Sequence, residues 1–178
     1  EFLAPGPEGL KKSLDLIEKL LDSKLLHNNL KLTSLDCHDL ICILSDAVLS
    51  GGIRRSALIS LFDKDDDLML KCKTGNWWID TPWRARANNS AKLLKNSLTK
   101  EELDSYKEFI KQFGEPGVLL VDDIRMMCNP CVEIGFIPIN PFNGKSCWSF
   151  CNLNEIIGSL CTTEEKFYEA CKNAAILG

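Results

Sequence analysis

The sequence predicts an α/β fold with some parallel strand pairing, and three observations carry that prediction. Short apolar runs of strand length, such as Ser56-Ala57-Leu58-Ile59-Ser60-Leu61-Phe62 and Val118-Leu119-Leu120-Val121, are separated by longer stretches whose leucines recur at helical spacing. Two capping boxes, Thr99-Lys100-Glu101-Glu102 and Thr162-Thr163-Glu164-Glu165, mark helix starts. Strands separated by helical segments favour crossover connections and therefore parallel neighbours. A length of 178 residues fits one domain, 1–178, without internal repeats.

The elements follow in order. Ala4-Pro5-Gly6-Pro7-Glu8-Gly9 is a loop, and a helix runs from about Pro7 to Lys24 with Leu10, Leu14, Ile17, Leu21 and Leu25 in one stripe. A second helix runs from about Ser34 to Leu49, capped by Thr33 or Ser34, with Leu40, Ile43, Leu44, Ala47 and Val48 as its buried stripe. Its Cys37, His38 and Cys42 read as structural, since cysteine behaves as a small buried hydrophobe. Gly51-Gly52 ends this helix, and Arg54-Arg55 leads into the first strand, 56–62. A glycine pair beside two arginines allows close approach to a phosphate, although paired arginines are more often salt-bridged surface features.

Asp63 to Lys73 reads as a short helix. Residues 74–89 hold three of the four tryptophans and two arginines, broken by Gly75 and Pro82. Aromatic faces and guanidinium groups stack on bases and pair with phosphates, while a packed aromatic loop is the plainer meaning. Asn88 opens a strand to about Leu94, and Lys100 to Phe113 is a helix stopped by Gly114-Glu115-Pro116-Gly117. After the strand 118–121 come a loop, an extended stretch 134–139, a polar turn 141–146 and a strand from Trp148 to Ile156. A last helix extends to about Ala175.

Composition narrows the function. The chain is 45% hydrophobic and 26% charged, which fits neither a disordered nor a membrane-embedded protein. No apolar run approaches the ~20 residues of a membrane helix, and no secretory leader is visible. The net charge of −4 gives no electrostatic footprint for nucleic acid. Nine cysteines at irregular spacing, with two histidines, support no metal site strongly. Without a leader, reduced thiols in a cytoplasm (a host cytoplasm if the chain is viral) are expected.

The chemistry concentrates in Asn129-Pro130-Cys131-Val132-Glu133. Pro130 fixes its own φ and biases Asn129 away from the helical region, which suits a tight loop entering a strand. If the segment after Pro130 is extended, Cys131 and Glu133 share a face. A thiol beside a carboxylate suits nucleophilic or radical chemistry with a proton acceptor at hand. On spacing alone, a buried cysteine with a solvated glutamate is the commoner meaning. Cys128 and Cys131 have thioredoxin-like CxxC spacing but do not open a helix after a strand.

Asn129-Pro130-Cys131-Val132-Glu133 resembles the finger loop of the ribonucleotide reductase catalytic subunit. Four further motifs resemble that family in the same order: Ser50-Gly51-Gly52-Ile53-Arg54-Arg55-Ser56-Ala57, Gly75-Asn76-Trp77-Trp78, Arg84-Ala85-Arg86-Ala87-Asn88-Asn89-Ser90 and Phe150-Cys151-Asn152-Leu153. The flavour is closest to the small cobalamin-dependent, class II, and phage-type enzymes.

The resemblance implies part of a ten-stranded α/β barrel with the finger loop at its centre, incomplete in this chain. It implies Cys131 as the thiyl radical that abstracts the ribose 3′ hydrogen. Glu133 takes the 3′-hydroxyl proton and Asn129 bonds the ribose hydroxyls. Cys151 is one member of the dithiol that supplies two electrons.

In the family the partner of Cys151 lies on a strand preceding the first residue here. Cys147 does not replace it on a straight strand: four residues span about 13 Å, against roughly 7 Å at most for a disulfide. Residues 74–89 occupy the place of the specificity loop, which puts Lys73, Asn76, Arg84 and Arg86 near nucleotide. The first two helices resemble those at a dimer or pseudo-dimer interface, and the loop before them resembles one that carries effector signals. The implied partners are a ribonucleotide substrate, a dNTP or ATP effector, complementing reductase chains and a thioredoxin-type reductant. The implied radical source is adenosylcobalamin or a radical-generating partner subunit. A non-catalytic nucleotide-binding or assembly fragment of a split reductase is the alternative.

Overall fold

The computed structural model describes residues 6–27, 31–47, 57–152 and 154–177. The Ser50–Ser56 part of the glycine–arginine motif, Ala4-Pro5, Val48 and Leu153 lie outside them. The chain divides into two compact units, Glu1–Ile137 and Pro138–Gly178.

In the first unit, α1 (Glu8–Leu26) packs on α2 (Ser34–Ala47). The expected leucine stripe of α1 faces outward, with Leu10, Leu14, Leu21 and Leu25 exposed. The buried residue is Ser13, whose small side chain lets the helices approach and whose hydroxyl donates to the Ile43 carbonyl at 2.9 Å. Helix α2 starts at a Thr33–Asp36 box: Thr33 N–H donates to Asp36 Oδ2 (2.8 Å) and Asp36 N–H to Thr33 Oγ1 (3.1 Å).

The stripe expected for α2 is corrected. Ile43 is buried but Leu44 is exposed, and Asp36, His38, Asp39, Cys42 and Ser45 turn inward instead. Polar groups sit inside because each finds a partner, which removes the cost of burying them. Cys37 is exposed, against the expectation of a buried structural role.

Strands β1 (Leu58–Phe62), β2 (Ala87–Leu94) and β3 (Gly117–Val121) form a parallel sheet in the order β1-β2-β3. Ser60 registers with Asn89, and Ala91 with Val118. Strand alternation therefore gives one face Ser60, Phe62, Asn89, Ala91 and Leu93, which meets the helices. The core there is Phe62, Met69, Ala91, Leu93 and Tyr106, backed by Leu35, Leu70, Leu98 and Val118. The opposite face carries Ile59, Leu61, Asn88, Ser90 and Lys92.

The helix expected at 63–73 shrinks to α3 (Asp67–Leu70), because the aspartates spend their bonds on turns: Asp66 N–H reaches the Asp63 carbonyl (3.0 Å) and Asp66 Oδ1 caps Met69 N–H (3.0 Å). Helix α4 (Trp77–Asp80) and a 3-10 turn at Pro82–Arg86 fill the tryptophan segment. Helix α5 (Lys100–Phe113) carries the expected capping box and ends at left-handed Gly114. A short antiparallel hairpin, β4 (Met127–Cys128) with β5 (Gly135–Phe136), completes the unit. Of the extended stretch expected at 134–139, only these β5 residues pair as a strand, and Ile139 joins Ser146 in a single bridge.

The second unit holds the Ile139–Ser146 bridge around a turn, a 3-10 turn at Gly158–Leu160 and α6 (Glu164–Leu177). The strand expected at Trp148–Ile156 is absent among the described residues. No neighbouring strand takes up its backbone groups, and Trp148 and Phe150 are exposed. The fold is thus mixed α/β with a three-stranded parallel sheet, and no barrel is formed among the described residues. No described helix is long and apolar enough to cross a membrane.

Candidate active site

The hairpin brings three of the expected site residues together. Asn129, Cys131 and Glu133 lie in the six-residue loop between Cys128 and Gly135. Asn129 shapes that loop through three bonds. Its N–H donates to the Ile134 carbonyl (3.2 Å), its carbonyl accepts from Val132 N–H (2.9 Å), and its Oδ1 accepts from Ile134 N–H (3.0 Å).

The loop is not extended after Pro130, as a simple strand entry required. It turns at Cys131, and Val132 sits at φ 72°. Strand alternation therefore does not set the relation of Cys131 to Glu133. A β-branched residue in the left-handed region costs about 1–3 kcal/mol and persists only where its surroundings hold it.

One such hold crosses to the sheet: Asn88 Nδ2, on the face away from the helices, donates to the Pro130 carbonyl at 2.8 Å. Cys131 and Glu133 are exposed, while Cys128 beside them is buried. Burial pushes the Cys128 thiol up, the Lys92 charge pulls it down and Glu133 pushes it up again, with a net upward shift. Lys92 thus lies within electrostatic reach of the loop, on the same strand face as Asn88.

All nine cysteines are free. Cys128 and Cys131 form no disulfide, one being buried and the other exposed. Cys151 lies exposed in the second unit.

Of the residues expected near nucleotide, Asn76 is exposed at the start of α4, and the three cations each have a partner within the protein. Lys73 is buried; its Nζ donates to the Ala87 carbonyl (2.6 Å), sits 2.8 Å from Glu115 Oε2 and lies over the Trp77 ring. Arg84 grips Asp39 with Nε on Oδ1 and Nη2 on Oδ2, both at 2.6 Å, and reaches the Cys72 carbonyl. Burial opposes the Arg84 charge, but its bonds to Asp39 outweigh this and raise its pKa. Arg86 Nε donates to Asp46 Oδ1 at 2.6 Å. These cations fasten the tryptophan segment to α2 and to the start of β3.

Behind the sheet lies a second polar group that the sequence reading placed only as structural. His38 Nδ1 is 2.8 Å from Ser60 Oγ, and its ring is 3.6 Å from Cys42 Sγ. Asn89 Nδ2 donates to Cys72 Sγ at 2.9 Å. Burial holds His38 at about 4; the Asp39 charge works against this, and the Arg84 and Lys73 charges work with it. Burial lifts the Cys42 thiol to about 12 and the Cys72 thiol to about 11. Neither is reactive at neutral pH. No group of three or more metal-ligating side chains is assembled among the described residues.

Sequence reasoning missed Asn88 and Lys92. The signal was the period of two along β2, which sets Asn88, Ser90 and Lys92 on one face; what that face meets depends on the hairpin.

No family model and no solved structure matches the chain. Among curated proteins it is similar to the adenosylcobalamin-dependent ribonucleoside-triphosphate reductase of Levilactobacillus brevis. The two are 26% identical over 168 residues, covering 83% of this chain and 21% of that protein. The chain therefore spans about a fifth of the length of the relative it matches, to which it is distantly and partially homologous.

Proposed function

We propose that this chain supplies the finger-loop portion of a ribonucleotide reductase, and that Cys131 is its reacting thiol. One observation carries the reading: an exposed thiol, a carboxylate and an amide share one strained hairpin loop, tied to a parallel strand, in a chain related to such a reductase. With a radical on its sulfur, Cys131 abstracts the ribose 3′ hydrogen. Glu133 accepts the 3′-hydroxyl proton while the 2′ hydroxyl takes a proton from the reducing dithiol and leaves as water. Asn129 shapes the loop and bonds the ribose hydroxyls. Closeness in sequence fits closeness of the ribose positions they serve. Cys151 belongs to the dithiol that closes as the two electrons are delivered.

The substrate class is a ribonucleotide, with a nucleotide effector and a thioredoxin-type reductant. Further polypeptide completes the barrel. The support for that is the sheet itself: β1 and β3 have no strand on their outer sides among the described residues, and parallel sheets are normally covered on both faces.

The relative is adenosylcobalamin-dependent by name. The cavity beside Met127, lined also by Ile59, Ser60, Lys92 and Ile41, holds about 520 Å³. That is the volume of a drug-sized ligand, and a corrin with its nucleoside is much larger. That cavity does not hold the cofactor by itself, and no step is assigned to it. A cytoplasmic setting follows from the same reading.

The test is Cys131→Ser in the complete reductase that contains this sequence. Nucleotide reduction is lost and nucleotide binding stays nearly intact if the reading holds. Undiminished reduction by the variant refutes it, and robust turnover by the isolated 178-residue chain refutes the need for further polypeptide.

A further inference from the structure

We propose that Asn88 is the positioning residue for the loop that carries Cys131, acting through the Pro130 carbonyl. This rests on the reading of Cys131 as the reacting thiol. The Asn88 side chain donates to Pro130 at 2.8 Å across 42 residues of sequence. That carbonyl is half of the peptide unit joining Pro130 to Cys131. A peptide unit is planar, so holding its oxygen fixes the plane on which the Cys131 backbone hangs.

The hold has something to resist. Val132, next along, is kept at φ 72°, a conformation its β-branched side chain disfavours. On the far side Asn129 closes the loop on itself through Ile134. Asn88 ties the loop to a rigid element, since β2 is the central strand, paired on both sides. Elements positioned on strands hold a reacting group more closely than loops alone.

The thiols of the chain provide the readout. Cys128 is buried at the base of the loop, whereas Cys42 and Cys72 are buried behind the sheet. Alkylation of the native chain with iodoacetamide, resolved by peptide mass spectrometry, reports each site. Asn88→Asp keeps the shape but faces the Pro130 oxygen with a carboxylate; Asn88→Leu removes the donor without adding charge.

Both variants are expected to raise Cys128 alkylation about five- to tenfold relative to Cys131, the opening set by one lost hydrogen bond. Cys42 and Cys72 stay protected as in the parent. An unchanged Cys128 rate overturns the proposal. So does a parallel rise at Cys42 and Cys72, because Asn88 would then support the sheet rather than the loop. Failure of the reductase reading shows instead as nucleotide reduction by Cys131→Ser, a separate experiment from the alkylation ratio, which is read with Cys131 in place.

Discussion

Arg84 and Asp39 meet in a two-pronged bond, both contacts 2.6 Å, with both side chains nearly buried. Trp83 Nε1 adds a third bond to the same carboxylate at 2.9 Å. This pairing explains why α2 turns an aspartate inward, and it commits the guanidinium of Arg84 to the fold. Removing one partner strands a buried charge. Arg84→Ala is expected to cost about 3–5 kcal/mol of unfolding free energy, whereas the apolar pair Asp39→Leu with Arg84→Met costs much less. Urea unfolding of the single and double variants decides this; equal losses refute it.

The His38 imidazole is predicted to make stability fall in mild acid. Burial holds it at about 4 in the fold against 6.5 unperturbed, opposed by the Asp39 charge and aided by Arg84 and Lys73. The unfolded chain takes the proton first as pH falls. The His38 contribution is therefore complete above about pH 6.5 and is lost progressively down to about pH 4, by about 3 kcal/mol. Urea midpoints across that range, compared with His38→Asn, test it. A variant with the same pH slope as the parent contradicts it.

Val132→Gly is expected to stabilise the chain by about 1 kcal/mol. It relieves the left-handed strain at φ 72°, less the backbone entropy glycine adds to the unfolded state. A fall in the urea midpoint would show that Val132 contributes more by packing than it loses by strain.

Gly117→Ala is expected to destabilise by about 1–3 kcal/mol. A Cβ there comes within 2.6 Å of the buried Ser90 Oγ on the neighbouring strand. Adding Ser90→Gly restores most of the loss, and a double-mutant cycle measures the coupling. Additive effects would mean that the β2–β3 approach tolerates the methyl group.

Local signals served the elements well. Capping residues and helical periodicity placed α1, α2 and α5, and apolar runs placed β1 and β3. The loop of Asn129, Cys131 and Glu133 was legible because its members are adjacent in sequence. Periodicity failed where partners are distant. It put leucines inside α1 and α2, while Ser13, His38 and Asp39 took those positions because Ile43, Ser60 and Arg84 were there to meet them. The carboxylate partners of Lys73, Arg84 and Arg86 were hidden for the same reason: a cation in sequence carries no sign of which distant acid pairs with it.

An α/β chain with a Cys131–Glu133 loop resembling that of a nucleotide-reducing enzyme can be read from local patterns, since those features depend on residues within a few positions of one another. Packing set the rest: the loop turns rather than extends, Val132 bears its strain, and Asn88 fastens it from 42 residues away. Those outcomes depend on which strand face the hairpin lies against. That is settled by long-range packing and by the pairing of buried polar groups, neither of which a local pattern encodes.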